Sequence, residues 1–391
     1  MLHIYLILLC GLLANASPQK KGLQKELTLL WRQPFNHNRF TGTSLLYAGE
    51  TGVLFTQYTD VDESESMCML DAETGKLSWT WNDYDAHPST ILHCGQQKQV
   101  ISYPYLFFTS GIGAYTLHVQ SGETIMRNPH SFSKAYTQLG NQVLCIQNCA
   151  ADGIAQVTLV DLLSGTQTPV YKMQAAEQEV LECTAPNCSF ADNGDTLVYW
   201  MLKRHQIPEN QEQNALYGYN LTRKRMIFIH SLVATANYTL VYQDLVIVAS
   251  STSVIAVNRQ TGRLRWTYPN GGNSGQALQI LGNALVFTDP IKGTLTALNP
   301  ENGMLRWETS VHGTCARPQE LDGVIYTVNQ DNGFLYAVDL QRGTLLWHLA
   351  SPDLTNDPAA GFSFGLGLDK VRRRLYVGSF LAAYCYQLPL L

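Results

Sequence analysis

The chain has 391 residues, of which 45% are apolar and 15% are charged, and its formal net charge at pH 7 is −5. The low charge fraction, together with 30 Gly and 20 Tyr, excludes a disordered chain or a coiled coil and favours a β-rich protein with many tight turns. The acidic balance creates no basic field, so we expect no nucleic-acid partner.

The first 16 residues are predicted to be a secretory signal peptide. Residues 5–13 are nearly all apolar, and Ala14 and Ala16 supply the small residues that a signal peptidase needs. This apolar run is shorter than the roughly 20 residues that span a bilayer, and no later run is long enough. We therefore expect an extracytoplasmic protein with no transmembrane span, divided into a signal peptide (1–16), a linker (17–26) and one domain (27–391).

An internal repeat dominates the rest of the chain. Four segments, which start at Met69, Ala256, Ala297 and Ala337, align without gaps. Each has Asp or Asn at its third position, Gly four residues later and Trp four residues after that. A lone segment that ends at Trp31 matches the last part of this pattern. The repeated glycines and tryptophans are Gly75, Gly262, Gly303, Gly343, Trp31, Trp79, Trp266, Trp307 and Trp347.

Each copy is predicted to be a β-hairpin. The Asp or Asn side chain caps the turn, the Gly supplies a positive φ, and the Trp lies in the following strand. Another strand pair precedes each hairpin, so one unit has four antiparallel strands. Four-stranded units at a spacing of about 40 residues are typical of propeller blades. A Trp at a fixed place in each outer strand is expected to fill the space between neighbouring blades.

The two ends of the domain are predicted to share the last blade. Three strands follow the last complete unit, at 360–368, 374–379 and 382–388, and the lone strand at Trp31 supplies the fourth. This arrangement closes the ring and leaves no open blade edge between the ends. The sequence therefore predicts an all-β, eight-bladed β-propeller, with a seven-bladed ring as the alternative.

The spacing of Asp, Gly and Trp resembles that of the PQQ-like (quinoprotein-type) β-propeller repeat family over nearly all of the mature chain. The length, signal peptide and ring closure are most similar to its stand-alone, non-enzymatic members, such as the outer-membrane assembly lipoproteins of the barrel-insertion machinery. The resemblance implies a scaffold. The same family includes quinone-dependent alcohol dehydrogenases, which carry adjacent cysteines and a Ca²⁺ site. No two cysteines are adjacent here, so no catalytic, cofactor-binding or metal-binding residue is assigned.

Export would also permit covalent modifications. Eight of the nine cysteines follow the signal peptide, an even number that suits an oxidising compartment. The candidate disulfides, for which buried free thiols are the alternative, are Cys183–Cys188 and Cys145–Cys149. The candidate N-glycosylation sites of a eukaryotic secretory pathway are Asn187, Asn220 and Asn237.

Insertions indicate where a partner binds. A polar segment at 204–214 lies between the second and third strands of the fourth unit, and 59–66 has the same place in the first. Such connections emerge on the same face of a propeller as the links between blades, so we expect one loop-rich binding face. Its candidate residues are Asp60, Asp62, Glu63, Glu65, Arg204, His205, Glu209 and Glu212.

The sequence therefore predicts an exported, monomeric, non-enzymatic scaffold without a cofactor that binds a protein or peptide through this face. The alternative is an enzyme or small-ligand receptor, including a quinone-binding one, that uses the central channel. Ionisable side chains that converge on the axis from several inner strands would favour the alternative.

Overall fold

The computed structural model describes residues 27–35, 45–48, 52–59, 64–81, 92–93, 100–110, 113–130, 132, 136–149, 153–207, 209–234, 236–269, 278–289, 291–313, 315–355, 357, 360–363, 365–379 and 381–390. Within these ranges the chain forms 33 β-strands and no α-helix, grouped into eight antiparallel sheets. The predicted signal peptide (1–16) and linker (17–26) lie outside them.

The first four blades follow the chain order, and the strand nearest the axis comes first. Blade one contains β2 (Leu45–Ala48), β3 (Gly52–Thr59), β4 (Ser64–Asp71) and β5 (Leu77–Trp81). Blade two contains β6 (Leu92–His93), β7 (Val100–Ser102), β8 (Tyr105–Ser110), β9 (Ala114–His118) and β10 (Thr124–Asn128), with β6 and β7 both paired to β8. Blade three contains β11 (Tyr136–Leu139), β12 (Gln142–Cys149), β13 (Ile154–Asp161) and β14 (Gln167–Gln174). Blade four contains β15 (Glu179–Phe190), β16 (Thr196–Gln206), β17 (Gln211–Asn220) and β18 (Arg225–Leu232).

The other four blades complete the ring. Blade five contains β19 (Ala236–Tyr242), β20 (Leu245–Ser250), β21 (Ser253–Asn258) and β22 (Leu264–Pro269). Blade six contains β23 (Gln279–Leu281), β24 (Ala284–Asp289), β25 (Thr294–Leu298) and β26 (Leu305–Ser310). Blade seven contains β27 (Gln319–Leu321), β28 (Val324–Asn329), β29 (Phe334–Asp339) and β30 (Leu345–Ala350). Blade eight contains β31 (Leu366–Asp369), β32 (Arg374–Gly378), β33 (Ala382–Gln387) and, as its outer strand, β1 (Thr28–Pro34).

Ring closure through the N-terminal strand is confirmed. The sheet order of blade eight is β1-β33-β32-β31, and Trp31 of β1 lies opposite Cys385 of β33. The eight buried apolar clusters give independent support, because each is built from two neighbouring blades and the eighth joins blade eight to blade one. The structure therefore has eight blades, and the seven-bladed alternative is wrong.

The repeated turn has the hydrogen bonds that its residue types predict. Asp71 Oδ1 accepts from the backbone N–H groups of Glu73 (3.1 Å) and Thr74 (2.7 Å), and the N–H of Gly75 donates to the Asp71 carbonyl (2.8 Å). Gly75 has a φ of +70°, a conformation that a residue with a Cβ adopts only with strain. The same side-chain cap recurs at Asp161, Asn258, Asn299 and Asp339.

Each repeated glycine receives an aromatic ring from the preceding blade. The indole N–H of Trp31 donates to the Ala72 carbonyl (3.1 Å), and a Cβ placed on Gly75 would lie 2.6 Å from the Trp31 ring. The equivalent ring–glycine pairs are Trp79–Gly122, Phe228–Gly262, Trp266–Gly303 and Trp307–Gly343. These rings fill the space between blades, which is the role that the repeat predicts. Trp347 of blade seven has no equivalent glycine in blade eight. There β33 pairs with β1 from the other end of the domain, so the repeated Asp–Gly turn does not follow β33.

Candidate functional site

Blade four is extended beyond its neighbours. Its first three strands have 12, 11 and 10 residues, whereas β20 and β21 of blade five have six each. Our expectation of a loop at 204–214 is therefore wrong: β16 runs to Gln206, β17 begins at Gln211, and four residues connect them. The sequence of these strands shows no alternation of apolar and polar residues, because polar residues lie on both faces. An overhanging hairpin has no buried side that would require such alternation.

One face of this hairpin forms the candidate binding surface. Val180 lies opposite His205, which lies opposite Glu212. Alternation along β16 places Lys203 on the same side, and Ile207 follows the last residue of β16, two positions after His205. Farther down the same side, Met201 and Leu216 pack against Val246 and Val248 of blade five. The surface therefore overhangs blade five. We call this surface, formed by Val180, Lys203, His205, Ile207 and Glu212, the overhang face.

The overhang face combines exposed apolar side chains with an ion pair. Val180 and Ile207 are 41% and 57% exposed. Lys203 Nζ lies 2.6 Å from Glu212 Oε1, and the hydrogen bond from Lys203 lowers the pKa of that carboxyl. His205 Nδ1 lies 3.8 Å from the same oxygen. Apolar groups beside a fixed charge pair are typical of surfaces that bind other proteins.

The opposite face of the hairpin holds it in place. The Glu179 carboxylate accepts from the backbone N–H of Ala176 (2.9 Å), from Arg204 Nη1 (3.2 Å) and from Gln206 Nε2 (3.4 Å). The Glu179 side chain is 4% exposed. Arg204, a candidate binding residue by sequence, therefore lies on the bracing side. We did not single out Glu179, since an isolated Glu in a polar stretch gives no signal of burial.

The remaining sequence candidates do not belong to the overhang face as defined above. Glu209 lies in the exposed turn at the tip of the hairpin, next to the overhang face. Glu65 lies in β4, opposite Tyr58 of β3. Asp60, Asp62 and Glu63 lie outside the described residues. The overhang face therefore contains two of the eight candidates, His205 and Glu212, and the apolar members were found only in the structure.

Both candidate disulfides are wrong. Cys145, Cys183 and Cys188 are thiols that form no disulfide. Cys183 and Cys188 lie on the same strand, β15, and Cys145 and Cys149 lie together on β12. Four or five residues of extended strand span about 13–16 Å, whereas a disulfide needs Cα atoms about 4.4–6.8 Å apart. Cys183 instead packs in the core between blades three and four, and the Cys188 thiol donates to the Gln138 carbonyl at 3.5 Å.

Two of the three candidate glycosylation sites use their amide nitrogens in the fold. Asn187 Nδ2 donates to the Thr239 carbonyl (2.9 Å), and Asn220 Nδ2 donates to Asp195 Oδ2 (2.8 Å). Asn220 is also buried. Asn237, the third site, lies in β19.

In the described inner strands β27 and β31, two acidic side chains already have partners within the fold. Glu320 of β27 accepts from the N–H of Gly323 and faces Lys370 at 3.8 Å, and Asp369 of β31 caps the next turn. The described residues contain no group of three or more His, Cys, Asp or Glu placed to hold a metal ion. The described part of the chain also contains no helix that is long and apolar enough to cross a membrane.

Comparison with known proteins agrees with this architecture. Residues 250–365 match the family model described as outer membrane protein assembly factor BamB; this stretch contains three adjacent strong copies of the repeat. No curated protein sequence matches the chain. The resemblance to the PQQ-like repeat family and to its BamB branch is thereby confirmed over the matched residues.

Solved structures extend the likeness to the whole ring. BamB from Moraxella catarrhalis is 13% identical with a TM-score of 0.60, and the alignment covers 93% of this chain and 100% of that one. The computationally designed Ika8 protein is 14% identical (TM-score 0.61; 92% and 100% covered), and Sqt1 from Saccharomyces cerevisiae is 9% identical (TM-score 0.60; 89% and 97% covered). At these identities the shared property is the fold.

Proposed function

We propose that this chain is an exported, non-enzymatic scaffold that binds a protein or peptide through the overhang face. The observation that carries the proposal is the exposure of Val180 and Ile207 on the same face as the Lys203–Glu212 ion pair. Residues 203–213 of the hairpin belong to none of the buried apolar clusters of the described residues, so they add no apolar core to the propeller. A surface that a partner covers explains why the strands continue there.

Two further observations support a scaffold. One similar structure is BamB, whose family is described as an outer membrane protein assembly factor. In the described part of the chain, Glu320 of β27 and Asp369 of β31 are engaged in turns and an ion pair rather than left unpartnered near the axis. The extracytoplasmic location rests on the signal peptide at 1–16, and fractionation of cells that express the tagged full chain tests it.

Quantitative pull-down with the mature protein tests the binding face. The double variant V180S/I207S removes apolar surface from the overhang and keeps its ion pair. The matched control is Leu305→Ser, which changes a 49% exposed Leu in the outer strand of blade six. We expect the unmodified protein and L305S to retain the same partner, and the double variant to lose it. Retention of that partner by all three proteins would contradict the proposal.

A further inference from the structure

A second candidate site lies on the other face of the ring, in a cleft between blades four and five. Antiparallel strands place the turn from β15 to β16, the turn from β17 to β18 and the turn from β21 to β22 on the face opposite the overhang. Residues from these three turns enclose a cleft of about 410 Å³. That volume is within the range of protein pockets that take a small ligand or a few residues of a peptide.

The base of the cleft is a fixed polar network. Asp195 Oδ2 accepts from Asn220 Nδ2 (2.8 Å) and Asn193 Nδ2 (3.1 Å), and it lies 2.6 Å from Arg223 Nε. These contacts, led by the Asn220 hydrogen bond, lower the pKa of Asp195. The Asp195 charge is therefore neutralised within the fold, and the groups of Asn193, Asn220 and Arg223 that donate to it are already in use.

Arg225 differs from Arg223 because its charge is not neutralised. Its guanidinium lines the cleft and, within the described part of the chain, has no ion-pair or hydrogen-bond partner. The neighbouring Lys224, in the same turn, is also exposed, and its side chain has no ion pair among the described residues. Positive charge without a partner thus lies at this cleft in a chain whose net charge is −5.

The rest of the lining limits the kind of anion that fits. Leu197 and Ile227 give the cleft an apolar wall, and Gln260 supplies an amide group, whereas the Asn193 amide is already bonded to Asp195. Asp192 also lines the cleft, but it lies 3.3 Å from Arg259 Nη2, so Arg225 is the cation of the lining that has no partner among the described residues. An apolar wall, an amide group and one free guanidinium suit a peptide with a single carboxylate, which Arg binds through two parallel hydrogen bonds.

We propose that this cleft binds a peptide carboxylate that lies next to an apolar side chain. The carboxylate pairs with Arg225 and the apolar side chain packs on Ile227. A side-chain carboxylate and a C-terminal carboxylate share this chemistry. The site is separate from the overhang face, so the two proposals stand or fall independently.

Fluorescence anisotropy with labelled peptides tests the site. One probe contains Leu-Glu-Leu within an amidated hexapeptide, a second ends in Leu with a free carboxylate and contains no Glu, and a third is the Leu-Gln-Leu amide. We expect the first or second probe to bind and the third to bind about tenfold more weakly, as the loss of a charged hydrogen-bonded pair predicts. Whichever of the first two probes binds more tightly shows whether the site prefers a side-chain carboxylate or a C-terminal one.

Two variants localise the binding. Arg225→Gln should weaken the better probe about tenfold and leave the melting temperature unchanged, because Arg225 has no partner in the described fold. Arg265→Gln, an exposed Arg of β22 outside the cleft lining, is the matched control and should bind normally. The proposal is overturned if neither carboxylate peptide binds, if the Gln peptide binds equally well, or if both variants weaken binding alike. Tighter binding of a heparin hexasaccharide than of either peptide would also overturn it.

Discussion

Arg32 and Asp353, which are 321 positions apart in the chain, are joined by two hydrogen bonds. Arg32 Nε and Nη2 donate to Asp353 Oδ2 at 2.9 and 2.7 Å, and the hydroxyl of Tyr384 donates to the same oxygen at 2.6 Å. Arg32 lies in β1, Tyr384 in β33 and Asp353 in the link that leads to blade eight. Side chains therefore reinforce the backbone pairing at the one blade that is built from both ends of the domain.

Replacing Arg32 should weaken ring closure. Arg32→Met keeps the apolar stem and removes the donors, so Asp353 loses two charged hydrogen bonds and the free energy of unfolding should fall by about 1 kcal/mol, the scale expected for a partly exposed pair. Urea denaturation measures the change. Arg265→Met is the control, because Arg265 has no ion pair in the described residues. Equal stability of the two variants would show that the Arg32 contact does not stabilise the ring.

The Asp353 contacts also predict a dependence on pH. Burial opposes ionisation, but the hydrogen bonds from Tyr384 and Arg32 outweigh it and hold the pKa of Asp353 below its ordinary value of 3.8. A lowered folded-state pKa gives stability that is present above the unfolded pKa and is lost as the pH falls through the folded one. Asp353→Asn should therefore be less stable than the natural chain at pH 6, and the gap should narrow below about pH 4. Urea unfolding at both pH values measures it; a constant gap contradicts the assignment.

The contact between Trp307 and Gly343 predicts a large effect of one methyl group. Gly343→Ala adds a Cβ 2.5 Å from the Trp307 ring at a φ of +68°. Gly323 of the same blade has a φ of +78° but open space around it, so Gly323→Ala should cost only the left-handed strain, about 1–2 kcal/mol. Gly343→Ala should cost about 1–3 kcal/mol more through overpacking. Thermal and urea unfolding compare the two variants, and similar losses would rule out the interblade contact as the cause.

The separation of Cys183 and Cys188 along β15 predicts that both thiols stay reduced. When the purified protein is unfolded in urea without a reductant, iodoacetamide should label both residues, as peptide mass spectrometry will show. In the folded protein Cys183 should react very slowly, because burial raises the pKa of its thiol to about 12 and the thiolate is the reactive form. Labelling of the unfolded chain only after reduction would contradict the structure.

The overhang should be dispensable for folding. Deleting 206–213 leaves Arg204 and His205 as a two-residue connection between Lys203 and Asn214, which already lie opposite each other, so the register below is kept. We expect only a small fall in melting temperature, from the loss of donors to the buried Glu179 carboxylate, because the deleted side chains belong to no buried apolar cluster. Partner retention should be lost. A large fall in melting temperature would mean that these residues support the ring.

Local chemistry made the ring predictable from the sequence. The Asp, Gly and Trp positions specify a capped turn, a residue with a positive φ and an indole side chain at fixed spacing. Each of these features depends only on residues within about ten positions of one another. Repetition then required stacked blades, and the matching half-units at the two ends required closure. Trp31, far from any other copy, was placed in blade eight by this reasoning alone.

The features that carry function depended on neighbours in space. A polar stretch becomes the overhanging hairpin because β15 to β17 pair along their full length, and the same extension separates Cys183 from Cys188. The basic turn at 370–374 pairs with two blades, through Arg374 and Glu73 at 2.7 Å and through Arg373 and Asp322. Arg225 also lies in a basic stretch of sequence, but its side chain has no acidic partner in the described residues. The repeat positions in the sequence are enough to determine the ring. Charge neutralisation, exposure and the shape of a cleft depend instead on which residues of adjacent blades face each other. Only the tertiary structure decided those contacts.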